Sequence, residues 1–268
     1  MSAGSVSAII LAGNRPGGDP MAQSRKIPVK ALIPVAGQAM VSRVIKALMA
    51  HEKIGKIHLL AQDFAPFWDH DQTQKLVDNP QVSTHISQTT IATSLDTLLG
   101  SQAIEYPVLI TTADNVLLEQ AIIDEFLAKA AGTDIAIAVV AKPVLLHRFS
   151  HSQRTWLKLR GGQFSGANLF YFGSPKARQI LHYWAQVEQD RKKGWKLLTI
   201  FGPWLLFLAI IRWLNIDQLA ARIGKKLSLN IKIAQMSQAE ACIDVDKESD
   251  LLLVEEILAG RASAAGQP

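Results

Sequence analysis

The stretch Ser7–Pro20, SAIILAGNRPGGDP, runs from an apolar segment into a loop of glycine and proline that carries one arginine. A strand ending in such a loop leaves backbone N–H groups free beyond the carboxyl end of a sheet. Open α/β sheets bind their ligands on that edge, and backbone amides suit oxyanions. Gly13, Gly17 and Gly18 would let the backbone approach a triphosphate closely, and Arg15 would add a charged fork. The spacing is neither G-x-G-x-x-G nor a Walker A loop. From the residues alone the loop is either a phosphate cradle or an ordinary turn.

Carboxylates supply the other half of phosphate chemistry. Asp114 follows an apolar run on the same expected edge, where an aspartate serves either as a helix cap or as a metal ligand. Asp244 and Asp246 alternate in a stretch that reads as a strand, so both would point the same way and repel unless a cation lay between them. Mg²⁺ takes one or two protein carboxylates and completes its shell with phosphate oxygens and water. Asp114 with Asp246 suits that arrangement, with Asp244 in reserve, whereas Asp250 suits the first turn of a final helix. Ser94 and Thr93 stand at a helix start, placed either for a base and ribose or simply as caps. The seven histidines show no metal-ligand spacing, no Ser/His/Asp or Cys/His arrangement is suggested, and Cys242 reads as core filling.

The elements that must hold these residues follow from periodicity. Val6–Leu11, Ile57–Ala61, Val82–Ile86, Val108–Thr112 and Ile135–Val140 read as strands. Between them Met40–His51, Ile91–Leu99 and Leu118–Ala131 carry apolar faces at helical spacing, through Val44 and Leu48, Ile91 and Leu95, and Ile122 and Phe126. Such alternation predicts right-handed crossovers and a mainly parallel sheet. Thr155–Leu159 and Asn168–Phe172, about the turn at Gly161-Gly162, read as an added hairpin. Ser174-Pro175 opens a helix, Ala241–Val245 reads as a strand, and Ser249–Leu258 as a helix ending at Gly260.

At this point the resemblance becomes specific. AIILAGNRPG followed by KALIPVAGQAMVSRVIKAL (from Lys30) resembles the signature of the MobA-like NTP transferases, and TTADNVLL, SGANLFYF and CIDVDKESDLLLVEEIL resemble further segments of that family. The resemblance implies a GT-A-like, Rossmann-related α/β fold with flanking helices. It implies a nucleotide held by the first loop (Leu11, Ala12, Gly13, Asn14, Arg15, Gly17), with Lys30 on the phosphates, Mg²⁺ on Asp114 and Asp246, and an acceptor near Gly166 and Asn168. Lys30, Arg15 and Asp114 would then carry transfer of a nucleotidyl group from an NTP to a phosphorylated small-molecule acceptor, with release of pyrophosphate. A glycosyltransferase using a sugar nucleotide, or a membrane-associated nucleotide-binding module without catalysis, are the alternatives. The family's usual loop reads closer to LAGG-x-S-x-R-M-G, whereas this chain has Asn14, Arg15 and Pro16.

The whole chain sets the remaining bounds. Its 268 residues, 49% hydrophobic, suffice for one sizeable core: a single domain over 1–260, with an apolar and basic helical insertion at 191–232 and a flexible tail at 261–268. A net charge of +5 favours anionic partners, and the reading is of nucleotides and not nucleic acid. One cysteine and no secretory leader pattern give a cytoplasmic expectation. In the stretch RKKGWKLLTIFGPWLLFLAIIRWL, Arg191–Leu214, the apolar segment after Trp195 resembles nothing in the family. The run after Gly202, as a helix, would extend about 18 Å at about 1.5 Å per residue, short of a bilayer core of about 30 Å. Its tryptophans, with Arg191, Lys192, Lys193, Lys196, Arg212, Arg222, Lys225 and Lys226, suit an anionic membrane surface through 191–226; burial in the core or against a protein partner is the alternative.

Overall fold

The computed structural model describes residues 5–14, 17–152, 154–189 and 213–265. The strands are Val6–Leu11 (β1), Pro34–Val35 (β2), Gln38–Ala39 (β3), Ile54–Ala61 (β4), Val82–Ile86 (β5), Val108–Thr112 (β6), Ile135–Ala141 (β7), Leu157–Leu159 (β8), Gly162–Phe172 (β9) and Ile231–Met236 (β10). The main sheet has the order β10-β7-β9-β6-β1-β4-β5, with β8 alongside β9. Among the described strands of this sheet only β9, which is antiparallel to β6 and β7, and β8, antiparallel to β9, depart from the parallel pattern.

Alternate side chains of β1 enter opposite cores, as expected of a central strand covered on both faces. Ala8 and Ile10 pack on one side with Met40, Val44 and Leu48 of the Met40–Met49 helix, Ile122 and Phe126 of the Gln120–Ala130 helix, and Val254 of the Glu248–Ala265 helix. Ile9 packs on the other with Leu95 and Leu98 of the Ile91–Leu99 helix and Leu181 of the Gln179–Gln189 helix. The result is a three-layer α/β/α structure. Because β1 pairs in parallel with both β4 and β6, Leu11 lies opposite Leu60 and Thr112. The loops after these three strands therefore leave the sheet on one edge.

Three expectations change. Ala241–Val245 is not a strand: Ala239–Cys242 forms a 3₁₀ turn and the residues after it run without a partner strand. Ala241, Ile243 and Val245 are all buried, so their alternation recorded burial and not pairing. The far end of the 191–232 stretch enters the sheet, since β10 pairs with β7 from Ile231 onward. The last helix continues through Gly260 to Ala265, with Arg261 donating to the Leu117 carbonyl and paired with Glu119. Ser174 stands at the N-cap with Pro175 behind it as expected, although the turn it opens is 3₁₀ and its hydroxyl donates to Asp134 Oδ1; Ile91, expected on the apolar face, remains exposed.

His58 on β4 and His85 on β5 meet on one face of the sheet, Nδ1 to Nε2 at 2.9 Å. Burial, and then the charges of His85 and Lys56, push His58 down to about 4, while burial lowers His85. An unfolded histidine titrates near 6.5, so between these values the unfolded chain binds the extra proton and stability falls as the pH is lowered. Urea unfolding should show a loss on the order of 2 kcal/mol between pH 7 and pH 4.5. His58→Leu should flatten that part of the profile.

Candidate functional site

The loop after β1 is fixed by side chains. Asn14 N–H donates to Gln62 Oε1 at 2.8 Å, and Gln62 Nε2 returns a bond to the Asn14 carbonyl at 3.0 Å. Asn14 Oδ1 accepts from the Lys30 amide at 3.3 Å, which joins the loop to the Lys30–Leu32 turn. Gly13 leaves room for this clamp: a Cβ there would lie 2.9 Å from the Gln62 amide group and would displace it. Gly17 and Gly18 have φ of +88° and +83°, the left-handed region that glycine enters without strain. Asp19 then caps the Pro20–Ser24 helix through the Met21 and Ala22 amides. Arg15 and Pro16 lie outside the described residues.

Lys30 Nζ sits between two carboxylates, 2.6 Å from Asp114 Oδ2 and 2.7 Å from Asp246 Oδ1. Burial alone would lower the lysine pKa, but Asp114 and then Asp246 outweigh it and the ammonium is held above its ordinary value. The second Asp114 oxygen accepts from Thr112 Oγ1 at 2.5 Å, and the Asp114 carbonyl accepts from the Val245 amide at 3.2 Å. The Gln120–Ala130 helix begins beyond Asp114, with Glu119 at its N-cap, so Asp114 does not cap it. Its carboxylate faces the cation instead.

The other expected residues are distributed unevenly. Leu11, Ala12, Gly13, Lys30 and Asp114 line one cleft of about 40 Å³, together with Ala31, Met40 and Ala113. That volume forms a floor over which a larger ligand would lie, and two larger cavities, of about 850 and 600 Å³, include neither Lys30 nor the two aspartates. Among the described ion pairs Lys30 meets Asp114 and Asp246 and not Asp244. Asp244 is instead held by Arg154 and by Asn168 Nδ2 at 2.8 Å. Burial raises its pKa, Arg154 opposes the rise, and Asp114 and Asp246 add to it. Asn168 thus meets a carboxylate, from a left-handed position at φ +48°, while Gly166 lies exposed beside it on β9. Ser94 Oγ donates to the Thr90 carbonyl and accepts from the Gln88 amide, and Thr90 with Thr93 forms a capping box. Both hydroxyls serve the helix start.

Gln62, Thr112 and Arg154 were not singled out from the sequence. Gln62 had a signal, since it follows a strand adjacent to β1, but Arg154 had none.

This fold, with the glycine loop, Lys30 and Asp114 gathered on its carboxyl edge, is that of the Rossmann-like α/β nucleotidyltransferases. The chain belongs to the MobA-like NTP transferase family, whose domain model matches residues 8–198. The match includes the glycine loop, Lys30 and Asp114 and ends before Asp246. A hypothetical transferase from Thermus thermophilus is similar in structure, with 26% identity and a TM-score of 0.77 over 92% of this chain and 99% of that one. The 4-diphosphocytidyl-2C-methyl-D-erythritol synthase from Anaerococcus prevotii DSM 20548 shares the fold at 11% identity, with a TM-score of 0.58 over 96% of each chain. A CMP:2-keto-3-deoxy-manno-octonic acid synthetase solved with CTP does so at 10% identity, with a TM-score of 0.59 over 97% of this chain and 100% of that one. No curated protein sequence matches the chain.

Removing the ammonium leaves Asp114 and Asp246 facing each other. Lys30→Met should therefore lose on the order of 2 kcal/mol of stability at neutral pH. Asp246→Asn in that background should restore part of it, as urea midpoints would reveal.

Proposed function

We propose that this chain transfers a nucleotidyl group from an NTP to a phosphorylated small-molecule acceptor and releases pyrophosphate. The observation that carries the reading is the Lys30 ammonium held between Asp114 and Asp246 beside the glycine loop, on the carboxyl edge of the sheet. An acceptor phosphate is ionised at neutral pH, so no strong base is needed. Its oxygen forms a bond to the α-phosphorus while the bond to the bridging oxygen breaks, and that electron pair leaves on pyrophosphate. The work of the protein is alignment and charge neutralisation. Amides of the glycine loop and the Lys30 ammonium face the phosphates in this reading, with Arg15 added from the sequence.

The two carboxylates fit a magnesium ion: both already converge on a single cationic nitrogen within 2.7 Å. Asp114 and Asp246 would hold it, and the bound ion would supply further neutralisation of phosphate charge. Gly166 and Asn168 border the acceptor side, where Asn168 acts through Asp244.

The stretch 191–226 meets an anionic membrane surface in the same proposal, which would make the enzyme peripheral on the cytoplasmic leaflet. Residues 190–212 lie outside the described residues, so this part rests on their sequence. At the margin Trp213 is 63% exposed, and the Ile216–Leu227 helix buries Ile216, Ala220, Gly224 and Leu227 while Arg222, Lys225 and Lys226 face outward. Among the described residues no helix is long and apolar enough to cross a membrane.

A pyrophosphate-release screen tests the chemistry, with each NTP, CTP included, against sugar, polyol and cofactor phosphates. One pair should turn over, and Asp114→Ala should lose about 10³-fold while keeping its fold. Near-normal release by that variant would remove Asp114 from the reaction, and turnover of a sugar nucleotide without pyrophosphate would favour glycosyl transfer. Vesicle flotation tests the membrane. The native chain should float with anionic liposomes and Trp204→Ser/Leu208→Ser should not; a native chain that stays in the soluble fraction at low salt assigns the segment to the core or a protein interface.

A further inference from the structure

The carboxylate of Asp246 is aimed by a segment with little regular structure. Residues 243–247 belong to no helix or strand. Their tie to the sheet region is the bond from the Val245 amide to the Asp114 carbonyl. The remaining constraints come from side chains, and one of them reaches both ends of the turn.

Arg154 enters from the connection between the Lys142–Arg148 helix and β8. Its Nη1 donates to Asp244 Oδ1, its Nη2 donates to the Asp244 carbonyl at 3.2 Å, and Nη2 stands 4.0 Å from Asp250 Oδ1. The other Asp250 oxygen accepts from the Asp246 and Lys247 amides, each at 3.2 Å. Asn168 holds the second Asp244 oxygen from the irregular part of β9. Asp246 therefore lies in the middle of a turn whose flanks, Asp244 and Asp250, both face one guanidinium. The Arg154 side chain is only 11% exposed, so water does little to screen these contacts.

We infer that Arg154 is a positioning residue: by holding Asp244 and Asp250 it fixes the turn that points Asp246 at Asp114. The inference rests on the reading of those two aspartates as a cation site. Arginine suits the task because its rigid fork meets a carboxylate and a carbonyl at once, which a lysine ammonium does not reproduce. Partners of metal ligands commonly act this way, and losing one costs about 10- to 100-fold in metal affinity.

The test uses the full chain and Mn²⁺ alone as the probe, followed by electron paramagnetic resonance in a Lys30→Met background that clears the ammonium from between the carboxylates. Arg154→Met should weaken Mn²⁺ binding about 10- to 100-fold. Arg154→Lys, which keeps the buried charge without the fork, should lose less and guards against a folding defect. Asp246→Asn should weaken binding as well, and adding Arg154→Met to it should cost nothing more. Hydrogen exchange at residues 244–247 should rise in Arg154→Met while β1 and β6 stay protected. Unchanged exchange there overturns the inference. So does normal Mn²⁺ affinity in Arg154→Met, or an additive loss on top of Asp246→Asn, because either leaves Arg154 a purely structural ion pair. If Asp246→Asn binds Mn²⁺ normally, the cation-site reading itself falls, and the inference falls with it by a distinguishable route.

Discussion

One buried ammonium organises the functional edge of this protein. Lys30 stands between Asp114 at the end of the central sheet and Asp246 near the start of the last helix, with its side chain 14% exposed. Two carboxylates this close would repel without a cation, so the pair keeps its geometry only while something positive lies between them. In the protein alone that charge is the lysine. The same geometry suits a divalent ion and a polyphosphate, and a site of ionic partners that can exchange is well matched to a substrate carrying several negative charges.

The fold serves this interaction by bringing distant segments to one edge. Parallel pairing of β1 with β4 and β6 aligns the glycine loop, Gln62 and Asp114, although they lie far apart in sequence. The reciprocal bonds between Asn14 and Gln62 then tie the first loop to the loop after β4, and Asn14 passes the constraint to the Lys30 amide. β9 runs against its neighbours and is irregular near Asn168, which lets that side chain reach Asp244 from the far side of the site. A rigid sheet thus supports a polar layer in which nearly every group has a named partner.

That layer also separates two aspartates with similar local sequence. Asp246 faces the cation, whereas Asp244 is turned toward Arg154 and Asn168, where burial raises its pKa. Membership of the MobA-like NTP transferase family accounts for the loop, the lysine and Asp114, all inside the matched residues. The carboxyl-terminal turn with Asp246 lies beyond them, and the structure brings that carboxylate to the same lysine.

The sequence by itself determined the alternating strands and helices, several to the residue: Val6–Leu11, Val82–Ile86, Ile91–Leu99 and Val108–Thr112. It also determined the glycine loop and Asp114 on the same edge, because local periodicity encodes burial and glycine encodes backbone freedom, while the resemblance to the family added Lys30. It did not determine what pairs with what. Ala241, Ile243 and Val245 alternate like a strand yet have no ladder, while Ile231–Met236 takes the sheet edge beside β7. Burial is a property of one side chain, but strand pairing and the direction of a carboxylate depend on partners remote in the chain. Tertiary structure alone therefore decided that Asp246 shares Lys30, that Asp244 belongs to Arg154, and that Gln62 clamps the loop.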